Sequence, residues 1–164
     1  VLSVRSATAC GPSPRMRLDT IINTFSAQAY FAKEITVHGG DQWRTNIHVM
    51  DVADLYYYLI NTPIHHLSGL VFNATAGNYT ALRLARMVAK IIPCKITVDW
   101  EKRDRRHYRM DAGKLRRELD WGGSQSIEDA IYGNLSWFRR GKIKDWQDPV
   151  YWNTRRMADT MRGN

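Results

Sequence analysis

The side chains best suited to chemistry in this chain are arginines set beside strand ends. Residues 37–54 read Val-His-Gly-Gly-Asp-Gln-Trp-Arg-Thr-Asn-Ile-His-Val-Met-Asp-Val-Ala-Asp, with Arg44 heading a short strand that leads through His48 into a helix opened by Asp51. A guanidinium there presents a planar fork of donors that matches the oxygens of a pyrophosphate. Further along, Glu101–Met110 is intensely basic and contains Arg106 and Tyr108. Two arginines converging on one pyrophosphate would hold it through charge-assisted, bidentate bonds. His38 and His48 read as structural histidines, and no metal binding is expected of the loop pair His65–His66.

Composition agrees with an anionic partner. The 164 residues carry a formal net charge of +8, with 44% hydrophobic and 24% charged residues. That is the composition and size of one globular domain with a real core. A basic balance speaks to association with phosphates, nucleic acid or an acidic protein, and not to fold. Cys10 and Cys94 lie far apart without Cys-x-x-Cys spacing, which points to two reduced thiols in a cytoplasmic protein rather than a disulfide framework or a zinc site. The sequons at Asn73, Asn78 and Asn134 would matter only in a secreted protein, and Val1–Val4 is too short for the apolar stretch of a signal peptide. Residues 55–82 lack Lys, Arg, Asp and Glu, but Asn61, Pro63, Gly69 and Asn73 break them well short of the roughly 20 apolar residues a bilayer needs.

The elements that must position these groups alternate between strand and helix. Val1–Thr8 reads as a strand ended by Gly11–Pro12, with a proline-containing loop beyond it. Asp19 is placed to cap a helix through Ala32, with Ile21, Ile22, Phe25, Ala29 and Phe31 at helical spacing. Further strands are expected at Glu34–His38, Arg44–Val49, Leu70–Asn73 and Lys95–Trp100, with a loop from Ala74 to Asn78. A second helix, capped by Asp51 and stopped by Pro63, would turn Val52, Leu55, Tyr56 and Leu59 inward. A third runs from Thr80 to Pro93 on Leu82, Ala85, Met87, Val88 and Ile91. Asp111 begins a fourth, with Gly122 suited to its C-cap, and Ser126 with Asp129 resembles a capping box opening a last helix through Phe138. Residues 139–164 form a basic, Trp-containing tail. The alternation predicts an α/β fold, although the first strand has no evident partner set. Because the chain opens inside that strand, a fragment or truncated product is expected.

Six stretches in order carry a family likeness: Arg5–Pro12, Ser13–Asp19 with the helix containing Asn23, Val37–Gly39, Arg44–Asp51, Val71–Asn73, and Asp104–Tyr108 followed by Asp111–Trp121 and the Ser126–Ile131 helix start. Together they resemble the C-terminal substrate-binding half of the extended short-chain dehydrogenase/reductases, the family of NAD-dependent nucleotide-sugar epimerases and dehydratases. The likeness implies the end of a Rossmann sheet plus a small mixed α/β substrate-binding domain over residues 1–138. It also implies a nucleotide-sugar pocket. In that pocket Arg44 would pair with the diphosphate, and Arg106 and Tyr108 would approach phosphates or sugar from the far side. Val37 and His38 would sit beside the base, Arg17 and Asn23 would line the loop and helix over the sugar, and Gly11–Pro12 would close over the nicotinamide end of the cofactor. Thr45 and Asn46 depart from the family pattern, which has an acidic or proline residue and then an aromatic one.

Two further family features are missing from this sequence. No Gly-x-x-Gly-x-x-Gly turn occurs to cradle a cofactor pyrophosphate, and none of the 8 tyrosines has a lysine four residues later. In the family that Tyr-Lys pair moves the proton that accompanies hydride transfer, a step the nicotinamide performs. No residue here is therefore assigned a catalytic role, and NAD or NADP is expected in a full-length enzyme rather than on this chain alone. The leading reading is a substrate-binding half that binds a nucleoside diphosphate-sugar and works with a Rossmann half. A stand-alone, non-catalytic nucleotide-sugar binder is the second reading. A basic module that uses Lys102–Arg109, Lys114–Arg117 and Arg139–Lys144 on nucleic acid is the third and least favoured.

Overall fold

The structure, a computed structural model, describes residues 1–63, 65 and 67–162, with side chains as far as Met157. His66 of the loop pair lies outside the described residues. The elements run β1 (Ser3–Ser6), β2 (Thr8–Cys10), α1 (Ile21–Ala27) continued by a π-helical turn (Gln28–Ala32), β3 (Glu34–His38), β4 (Trp43–His48) and α2 (Val49–Asn61). Then come β5 (Val71–Ala74), β6 (Gly77–Thr80), α3 (Ala81–Ile91), β7 (Lys95–Asp99), α4 (Gly113–Leu119), α5 (Ile127–Arg139), a 3-10 turn (Pro149–Tyr151) and α6 (Asn153–Arg162). The class is α/β, and no helix among the described residues is long and apolar enough to cross a membrane.

The first strand does have partners, and it divides between two of them at Ala7. β1 pairs in parallel with β5, Ser3 opposite Val71, while β2 pairs in parallel with β4, Thr8 opposite Asn46. β4 also pairs antiparallel with β6, so it lies between two neighbours, and Arg44 through His48 are all buried. The segment expected as a loop after Ala74 supplies β6 instead. Its Gly77 and Asn78 carry no apolar alternation to announce a strand. β3 and β7 form a separate parallel pair.

Helix starts follow local hydrogen-bond chemistry, with two corrections. α2 is capped by His48, whose Nδ1 accepts from Met50 N–H at 3.1 Å, and not by Asp51. Asp51 lies within the first turn, buried, and its carboxylate accepts from the backbone N–H groups of Ser124 and Gln125 at 3.0 and 3.2 Å. This ties α2 to the segment that leads into α5. Gly123 permits the approach, since a Cβ there would collide with the Asp51 carboxylate. α1 begins after Thr20 rather than on Asp19, which instead accepts from Arg17 and from Asn153 N–H. The capping box of α5 forms in full: Ser126 Oγ accepts from Asp129 N–H at 3.0 Å, and Asp129 accepts from Ser126 N–H at 2.8 Å. α4 ends on Asp120 in the left-handed region, not on Gly122.

Three apolar clusters result. One joins α1, α3 and α5 to β3 through Ile22, Phe25, Val37, Leu84, Val88 and Ile131. A second packs α2 and α4 on the β1–β5 pair through Leu55, Leu59, Phe72 and Leu115. The expected inward set of α2 is partly wrong, because Tyr56 is exposed. Leu84 of α3, absent from the expected set, is fully buried. The third cluster gathers Met16, Leu18 and Phe138 with Phe31, Trp146 and Trp152, and so packs residues beyond 139 against the rest of the chain. Both cysteines are free, and burial pushes the Cys10 thiol up to about 12.

Removing the Ser126 hydroxyl takes away the N-cap acceptor, so Ser126→Ala is expected to lower stability by about 1 kcal/mol in urea unfolding. His48 generates a pH dependence. Burial holds its imidazole below the ordinary histidine range, against the pull of the Asp51 and Asp129 carboxylates, so the folded chain favours the neutral ring. Its contribution is complete above the unfolded value and declines as pH falls below about 6.5. Melting temperature should therefore drop from neutral pH toward pH 5, and His48→Asn, which retains a good N-cap, should flatten that slope.

Candidate functional site

Six of the seven side chains expected at a substrate converge on one groove of about 750 Å³: Arg17, Val37, His38, Arg44, Arg106 and Tyr108. β2 contributes Ala7, Thr8 and Ala9, and β3 contributes Thr36, Val37 and His38. α1 and its π-helical turn supply Ile21, Thr24, Phe25 and Gln28. The turn after β3 is held by Gln42, which accepts from Gly40 N–H and donates to His38 O, both at 2.6 Å.

Arg44 is the most constrained of the groove's cations. It is 8% exposed. Its NH1 donates to Trp43 O at 2.8 Å and Arg106 O at 2.6 Å, and its NH2 donates to the Asp104 carboxylate at 2.7 Å. The Tyr108 ring centroid lies 5.2 Å from its guanidinium carbon. Arg106 is its opposite, with a side chain 81% exposed, yet it grips the same carboxylate through Nε at 3.0 Å and NH2 at 2.7 Å. The Arg106 hydrogen bonds, with the charge of Arg44 behind them, hold the Asp104 carboxyl well below the usual carboxylate range. Asp104 thus joins two arginines from distant parts of the sequence at one point in the groove.

The remaining nominated residues are placed differently. Asn23 is buried and does not line the groove. Its Oδ1 accepts from Gly11 N–H and Asn134 Nδ2, each at 3.0 Å, and its Nδ2 donates to Arg17 O at 2.8 Å. It holds the ends of the Gly11–Arg17 loop in place. Gly11 adopts φ +101 with His48 against it, where a side chain would be strained, and Pro12 packs on Gly133; neither lines the groove. Arg17 is paired with Asp19 at 2.9 Å. The departures at 45 and 46 have consequences: Thr45 pairs its hydroxyl with Thr75 at 2.6 Å, while the buried Asn46 amide has no partner among the described residues.

Much of the basic run is neutralised within the chain, Lys102 by Asp99 and Arg103 by Asp41, and Arg109 lies over the Trp43 ring at 3.8 Å. Several groove residues were not nominated from the sequence: Asp104, Thr20, Gln28 and Trp152. Asp104 is legible as a lone carboxylate among arginines, since it opens the Asp104–Tyr108 stretch. Nothing local marks Gln28 or Trp152. A second cavity of about 320 Å³ is bounded by Asp51, Thr75, Arg116, Trp121 and Gln125, and contains none of the nominated residues.

Residues 1–75 match the model of the NAD dependent epimerase/dehydratase family. The fold resembles that of TunA, an NAD-dependent NDP-hexosamine 5,6-dehydratase of tunicamycin biosynthesis, with a TM-score of 0.72 at 24% identity, over 87% of this chain and 46% of that one. It resembles dTDP-glucose 4,6-dehydratase from Bacillus anthracis, solved with NAD, with a TM-score of 0.66 at 17% identity, over 93% of this chain and 46% of that one. It also resembles MoeE5, solved with UDP-glucuronic acid and NAD, with a TM-score of 0.69 at 19% identity, over 84% of this chain and 46% of that one. The chain spans about half the length of these structures. The chain is thus similar in sequence to the NAD dependent epimerase/dehydratase family over its first 75 residues, and over most of its length it has the fold of these solved structures.

Proposed function

We propose that this chain binds a nucleoside diphosphate-sugar and serves as the substrate-binding half of a cytoplasmic epimerase or dehydratase. The observation that carries this reading is the pairing of Arg44 and Arg106 on a single carboxylate in a groove large enough for such a ligand. Arg44 is the diphosphate ligand, held in place by the two backbone carbonyls it already bonds. Arg106, exposed and hinged on Asp104, approaches the phosphates from the solvent side with Tyr108. Val37 and His38 border the base end, and Arg17 closes the loop side. A ligand diphosphate must take over part of the hydrogen bonding that Asp104 now receives.

The hydride chemistry of the related enzymes belongs to NAD or NADP, and this chain holds no Gly-x-x-Gly-x-x-Gly turn to bind it. A Rossmann half, on the same polypeptide or another, would supply the cofactor and the proton-transferring groups. Two free thiols suit a reducing compartment. The pairing of Lys102 with Asp99 and of Arg103 with Asp41 leaves fewer free cations in that run for a nucleic-acid backbone.

Titration calorimetry with uridine, thymidine, guanosine and cytidine diphosphates tests this. One of them should bind at moderate salt, and Arg44→Ala should weaken it by on the order of 1.5–3 kcal/mol, the scale for a hydrogen bond to a charged group. An unchanged Kd in a variant that melts normally rejects Arg44 as the phosphate ligand.

A further inference from the structure

The outer side of α2 presents an apolar face to solvent. Leu55 and Leu59 pack inward with Asp51 beside them, while Met50 is 53%, Tyr57 73% and Ile60 81% exposed. Ala53, Tyr56 and Tyr58 are exposed as well. A stripe of this composition is unusual on a chain that is 24% charged. Tyrosine and methionine are residues that the centres of interfaces favour, and charge is what those centres exclude. Asp54 is the one charged residue exposed on α2, and no lysine or arginine occurs between Arg44 and Arg83.

The spacing identifies the partner. Met50, Ala53, Tyr57 and Ile60 fall at the i, i+3, i+7 and i+10 positions that form a seam along one side of a helix. That seam is symmetric about Leu55: Met50 and Ile60 are equally far from it in opposite directions, and so are Ala53 and Tyr57. Two copies of α2 laid antiparallel across a two-fold axis therefore bring Met50 against Ile60 and the small Ala53 against the large Tyr57. Each copy supplies the same patch, which is what a closed pair requires. A partner of another sequence gives no account of that symmetry. Charge points the same way. Each chain carries a formal +8, so two copies repel unless they meet where cations are absent, and α2 has none. A lipid surface would instead call for lysine or arginine along the helix.

We propose that α2 is a self-association surface, through which two copies of this chain pair antiparallel about Leu55. The contact is modest. A helix of 13 residues is about 20 Å long, and one such pair falls short of the roughly 1,200 Å² that stable complexes bury. The dimer is therefore weak and exchanges with monomer.

Sedimentation equilibrium of the unaltered chain, from micromolar to millimolar concentration, tests this. The dimer fraction should rise with concentration. Added salt should raise it further, by screening the repulsion between two +8 chains. Tyr57→Glu should weaken pairing by about tenfold or more without lowering the melting temperature of dilute protein, because that side chain is exposed. Disulfide formation in a Cys94→Ser background tests the register. Met50→Cys and Ile60→Cys chains should cross-link to each other when mixed, and neither should cross-link to itself, since like residues lie about 15 Å apart along the paired helices. Met50→Cys linking to itself as readily as to Ile60→Cys would overturn the antiparallel pairing. A chain that stays monomeric throughout would overturn the proposal and leave the face to a different polypeptide, such as a Rossmann half. A dimer unchanged by Tyr57→Glu would overturn it too, because the copies would then meet elsewhere.

Discussion

A guanidinium held away from water must have its charge answered, and the arrangement around Arg44 follows from that requirement. β4 lies between β2 and β6, so the residue at its head is carried into the interior with the rest of the strand. Trp43 O and Arg106 O take two of its hydrogens and Asp104 takes a third. To bring Asp104 there, the chain beyond β7 must cross back over the groove. That crossing is what places Arg106 and Tyr108 opposite Arg44 and gives the groove its far wall. A single buried charge thus joins two segments that lie 60 residues apart.

Asp51 plays a comparable part on the other side of β4. Buried in the first turn of α2, it accepts backbone N–H groups that lie just ahead of the α5 capping box. The fastening sets where α5 begins. α5 in turn carries Asn134, whose amide reaches Asn23 and through it the Gly11–Arg17 loop. The groove's wall is therefore positioned by a relay of polar contacts behind it, and several residues that resembled ligand contacts in the sequence serve this relay instead. Asn23 and Gly11 are the clearest cases: both matter to the site because they shape the loop that Arg17 and Thr20 stand on.

Strand and helix positions were largely legible in the sequence wherever one local signal was sufficient. Alternation marked β3 and β7, helical spacing marked α3, and the Ser126–Asp129 pair marked the start of α5. The misreadings share a cause. β6 has no apolar alternation and exists because β4 offers it hydrogen bonds. Ala7 divides one extended run into β1 and β2 because different partners lie on its two sides. Asp51 looked like a helix cap because Asp caps helices, but a distant pair of N–H groups competes for its carboxylate, and His48 already satisfies the helix start.

By itself the sequence determined the α/β class, most of the helices and strands before residue 139, the family likeness and the two arginine-bearing stretches, since each is written in local residue type and spacing. Tertiary structure alone decided that Arg44 and Arg106 share Asp104, that Asn23 supports the groove without lining it, and that Trp152 reaches the groove wall. Those outcomes depend on which distant segments pack together, and no local pattern encodes them: the partner of a buried charge is chosen only when the chain has closed around it.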